Sequence, residues 1–169
     1  CTKAALALAK LCYETLIADG EKAKCAVDKH VCTKAVENVI EANTYLSRIG
    51  FESAGLAAAH AIHNGFTAIP ATHELYHGEK VAFGSLVQLM LENAPEAELS
   101  QAYGFCIAVG LPVTLEALGI TADLPAVIAQ IAAVATQPEK STYNMPFPVS
   151  AASVADAIAA ADAYGKALL

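Results

Sequence analysis

Residues Phe51–Glu92 read FESAGLAAAHAIHNGFTAIPATHELYHGEKVAFGSLVQLMLE. Two helical patterns flank a connector. Glu52 or Ser53 opens the first, which runs through alanine-rich sequence to His63 and meets Asn64-Gly65 as its terminator. Thr67–His77 is a short connector holding Pro70. Gly78–Glu92 is apolar nearly all round, as a central, buried helix would be. No alternation of apolar and polar residues suggests a strand here.

The same pattern extends outward. Thr2–Ala18 has Leu6, Ala9, Leu11, Tyr13 and Leu16 for a broad buried face, with Gly20 as a stop and a short helix through Glu21–Asp28. Thr33 is an N-cap for a helix ending at about Arg48–Gly50. Beyond Asn93 and Pro95, helical patterns cover Glu96–Val109, Pro112–Leu118 and Leu124–Ala135. Gln137–Ser150 is a loop, and Ser150 caps a last helix. The fold class is all-α, a helical bundle, and residues 1–169 are read as a single domain.

Composition narrows the function. The 169 residues carry a formal net charge of −7 with only 10 Lys and Arg, which argues against a nucleic-acid partner. No apolar run reaches the roughly 18 residues of a membrane span, and no secretory signal pattern is present. The five cysteines, at 1, 12, 25, 32 and 106, form no CxxC pair and read as reduced packing thiols of a cytoplasmic protein. There is no GxGxxG after a strand, no GxxxxGK[ST] and no GxSxG.

Histidine is the informative residue. Four of the five lie in the opening stretch: His60, His63, His73 and His77. His60 and His63 share a helix face. A turn at Asn64-Gly65 can bring His60 and His77 to one point between helices, a usual place for metal sites in helical folds. The alternative is ordinary polar residues at helix ends. His73-Glu74-Leu75-Tyr76-His77 also matches the H-E-x-x-H signature of zinc metalloproteases, but Pro70 and Gly78 leave almost no helix to carry it.

FES-x-GLAAAHAIHNGF followed by THxxYHGEKVAFG resembles the glycerol dehydrogenase branch of the iron-containing alcohol dehydrogenase superfamily. KHVCTKAVENVIEANTYLS, VGLPVTL, YNMP and the terminal ADAYG extend the resemblance over the whole chain. It implies the C-terminal, all-helical, metal-binding domain of the dehydroquinate synthase-like fold. The N-terminal NAD-binding domain, and an aspartate ligand, would then lie upstream of Cys1. The resemblance further implies zinc (iron or another divalent metal also suits the ligands), with His60 and His77 as ligands and Phe51 lining the substrate pocket. His63 takes at most a supporting or pocket role, and His73 lies on the surface. The implied reaction converts glycerol and NAD⁺ to dihydroxyacetone and NADH. The implied partners are these polyols, the N-terminal half and further copies in a homo-oligomer. The fragment alone is expected to be inactive. A non-catalytic helical assembly module is the alternative. Ala54 departs from the family's second glycine, and Tyr143 stands where some relatives carry histidine.

Overall fold

The computed structural model describes the backbone of all 169 residues and the side-chain surroundings of every residue except Phe51. The chain is all-α, with no strand among the described residues. It forms two compact units, Cys1–Gly55 and Leu56–Leu169. No helix among the described residues is long and apolar enough to cross a membrane.

The first unit is built on α1, Lys3–Asp28, which packs against α2, Lys34–Glu41, and α3, Ser47–Ala54. A π-helical turn, Ala42–Leu46, joins α2 to α3. The expected stop at Gly20 does not occur; the helix continues through it. A single glycine costs a helix only about 1 kcal/mol, which packing on both sides offsets. α1 ends instead at Asp28, with Lys29 as its C-cap, before His30 adopts a left-handed conformation (φ 57°). The expected buried face also moves. Leu6, Leu11 and Tyr13 are exposed, whereas Ala5, Cys12, Ala23 and Ala26 face inward. Small residues let neighbouring helices approach closely, so the inward stripe is set by size as well as apolarity. The helix opened at Thr33 does not end at Gly50, which lies inside α3 against the Ala9 backbone.

The second unit contains α4 (Ala58–Phe66), α5 (His77–Leu91), α6 (Glu96–Val109), α7 (Leu124–Ala135) and α8 (Ala151–Leu168). α4 packs on α5 and α7, and α8 packs on α5 and α7. The core includes Ile62, Phe66, Phe83, Leu86, Val87, Tyr103, Ile131 and Ile158. The apolar α5 is central, as its sequence requires. Ser150 caps α8, accepting from the Ser153 N–H at 3.1 Å. The stretch expected as a helix over 112–118 is helical only as a 3-10 turn, Glu116–Leu118. Gly165 explains part of this. A side chain there would lie 2.0 Å from the Val113 carbonyl oxygen, so the extended segment before the turn occupies the groove over α8.

Two glycines fix α4. Gly65 is buried inside the helix rather than ending it, and a Cβ there would meet the Ile131 carbonyl oxygen of α7 at 2.6 Å. Gly84 of α5 faces α4, where a Cβ would lie 2.5 Å from the Ala59 carbonyl oxygen. Backbone therefore touches backbone on both sides of the helix that carries His60 and His63.

Candidate metal centre

The segment entering α4 is clamped before His60 begins. Ser141 donates to the Ala57 carbonyl at 2.8 Å, and Asn144 donates to the Leu56 carbonyl at 2.7 Å. The side-chain oxygen of Gln88 on α5 accepts from the Ala59 N–H at 2.9 Å. That N–H is one of the unpaired donors at a helix start, so the bond both satisfies α4 and ties it to α5.

The connector 67–76 is held as firmly. Thr72 is fully buried and donates to the Phe66 carbonyl at 2.6 Å. Lys80 is also buried, and its ammonium donates to the Thr72 carbonyl at 3.1 Å. Glu79 accepts from the Tyr76 N–H at 2.6 Å and so defines the first turn of α5. His77 is the first residue of that helix. Its position follows from this network.

Three imidazoles meet as a result. Ring centroids are 5.6 Å apart for His60 and His77, 4.3 Å for His63 and His77, and 6.5 Å for His60 and His63. Nδ1 of His77 lies 3.0 Å from Nε2 of His63, and Nδ1 of His63 lies 3.3 Å from Oδ1 of Asn64. Burial pushes the His60 and His63 rings below their ordinary pKa of 6.5, and the charge of His77 adds to this in both. For His63 the bond to Asn64 works in the opposite sense. Both rings are therefore neutral near pH 7, the form that binds a metal ion.

The structure brings the His60 and His77 rings to 5.6 Å between centroids. The turn that allows this comes after Phe66 and not at Asn64-Gly65, which lies inside α4. His73 stands apart and hydrogen bonds through Nε2 with the Thr67 carbonyl at 3.2 Å. The H-E-x-x-H match is broken across a turn, with only His77 inside a helix, so it lacks the shared helical face a zincin requires. Among the described residues no group of three or more His, Cys, Asp or Glu stands ready to hold a metal. His63 directs Nε2 at His77 instead of at a shared point. The role expected for Phe51 falls on a side chain outside the described residues. Sequence reading missed the Gln88, Ser141 and Asn144 clamps, since bonds from 29 to 88 residues away leave no local signal. Cysteine packing holds for Cys12 and Cys106; Cys1, Cys25 and Cys32 are exposed, and all five are free thiols.

No family model matches the chain. Individual proteins do. A glycerol dehydrogenase of Escherichia coli O6:H1 is 55% identical over 169 residues, covering 100% of this chain and 46% of that protein. A glycerol dehydrogenase of Pseudomonas putida is 52% identical over 99% of this chain and 46% of its own length. The crystal structure of a probable glycerol dehydrogenase from Sinorhizobium meliloti 1021 superimposes with a TM-score of 0.96 at 46% identity, over 99% of this chain and 47% of that one. The chain belongs to the glycerol dehydrogenase family. It spans about half the length of the curated relatives it matches and corresponds to their C-terminal part. Its all-α architecture is that of the glycerol dehydrogenase C-terminal region.

Proposed function

We propose that this chain is the metal-binding region of an NAD-dependent glycerol dehydrogenase, which converts glycerol to dihydroxyacetone. The convergence of His60 and His77 at 5.6 Å supports the reading most directly. A zinc site of the catalytic kind takes three protein ligands and keeps one position open. His60 and His77 would supply two of these, and a carboxylate outside these 169 residues the third. When bound, the ion supplies Lewis acidity that lowers the pKa of the reacting hydroxyl.

The chain's own residues do the rest by position. His60 is held half-buried and neutral by α4, which is pinned on both sides. His77 is set at the exposed start of α5 by the Thr72–Lys80 and Tyr76–Glu79 bonds. A pocket role for Phe51 belongs to the same proposal. By themselves the 169 residues are expected to turn over little glycerol, because two imidazoles hold zinc weakly and no nucleotide-binding motif is present.

The test is glycerol-dependent NADH formation by the intact protein, measured with its zinc content. His60→Ala and His77→Ala should each abolish bound zinc and turnover, while Glu74→Ala should change neither. Zinc retained in both histidine variants would defeat the ligand assignment. Absence of glycerol-dependent NADH formation in the zinc-loaded protein would defeat the substrate assignment.

A further inference from the structure

We infer that His63 is a positioning residue that fixes the tautomer of His77, so that His77 presents Nε2 to the metal. This role rests on the metal reading proposed above for His77, and goes beyond it in assigning the third imidazole.

Hydrogen-bonding capacity places the protons along one chain of atoms. Oδ1 of Asn64 can only accept, so Nδ1 of His63, 3.3 Å away, carries the proton. A neutral imidazole has one donor and one acceptor nitrogen, which leaves Nε2 of His63 with a lone pair. That lone pair faces Nδ1 of His77 at 3.0 Å. Nδ1 of His77 must therefore donate, and in the neutral ring this leaves Nε2 as the unprotonated nitrogen, free to ligate. Metal-binding histidines usually donate their other N–H to a carboxylate, a carbonyl or water. Here a second imidazole takes that place.

The local fold explains why His63 can do this. It lies three residues after His60 on α4, so it shares the face that meets the start of α5. Its neighbour Asn64 acts from the same helix. The relay Asn64–His63–His77 thus needs no element beyond α4 and the first residue of α5. It also accounts for His63 not serving as a ligand itself, since both of its nitrogens are already engaged.

The experiment uses the intact protein, first stripped of metal by a chelator and then titrated with zinc. Two-bond ¹⁵N correlation spectra at about pH 8, above the ordinary imidazole pKa, report the His77 tautomer without any metal. The proton should sit on Nδ1. His63→Phe keeps a ring and removes the acceptor; it should abolish that preference and weaken zinc binding by about 10- to 100-fold. His63→Gln offers a side-chain carbonyl to the same N–H and should restore most of both. A His77 proton on Nε2 in the unmodified protein overturns the inference, as does zinc affinity unchanged in His63→Phe. His63→Gln binding as poorly as His63→Phe also overturns it, because His63 would then be a ligand. His60→Ala and His77→Ala run alongside separate the two levels. Loss of zinc in these with none in His63→Phe spares the metal reading and removes only this inference; no loss in either removes both.

Discussion

Replacing Gly84 by alanine tests whether close helix contact sets the proposed metal centre. The added Cβ would stand 2.5 Å from the Ala59 carbonyl oxygen. A carbon normally approaches such an oxygen no closer than about 3.3 Å, so α4 and α5 must separate by roughly 0.8 Å at that point. The obstacle is backbone and cannot swing aside. Overpacking of this kind costs about 1–3 kcal/mol, and the rigid partner places Gly84→Ala near the upper end. Alanine's better helix propensity returns about 1 kcal/mol. The expected net loss of about 2 kcal/mol lowers the melting temperature by about 4–8 °C for a chain of this size. Ala59 adjoins His60, and functional geometry tolerates only about 0.5 Å of displacement. Zinc affinity should therefore fall about tenfold or more. Gly104→Ala is the control. Gly104 lies exposed in α6, and a Cβ there would have nothing within 4 Å, so this change should raise stability by about 0.5–1 kcal/mol. Calorimetry and zinc titration of both variants decide the matter. Gly84→Ala melting at or above the parent temperature, with zinc affinity intact, would show that helix contact at this point does not set the centre.

Asp162 is buried in α8, where it accepts from the Leu115 N–H at 2.8 Å and pairs with Lys166 at 2.7 Å. Asp162→Ala leaves that N–H unpaired and should cost about 1–3 kcal/mol by denaturant unfolding, with Asp162→Asn losing less. Burial pushes the Cys106 thiol up to about 11. At about pH 8 iodoacetamide should therefore modify the exposed Cys1, Cys25 and Cys32 and spare Cys106, as read by peptide mass spectrometry. The sign for stability follows from the same shift. The unfolded thiol ionises near its ordinary 9.0 and the folded one near 11, so this group's contribution is complete below pH 9 and is lost as pH rises between the two.

Much of the fold is legible in local chemistry. Glu96–Val109 and Leu124–Ala135 form as read, because apolar periodicity is bounded by Pro95, Gly110 and Asp123. The glycines are where reading fails. Gly20, Gly50 and Gly65 look like stops but lie inside helices, since a glycine ends a helix only where the surrounding packing allows the chain to turn. Leu6 and Leu11 look like core, yet the smaller Ala5 and Cys12 are buried because the inward stripe must let helices come close.

Residue type, period and motif were enough to assign the all-α class, the family and the histidines worth attention. Which imidazoles meet was settled by long-range packing. His73 and His77 are four residues apart and part company, while His63 and His77, fourteen apart, touch. The cause is a set of clamps that fix two helix starts in space, the nearer one from Lys80 to Thr72 and the long-range ones from Gln88, Ser141 and Asn144, which have no counterpart in local spacing.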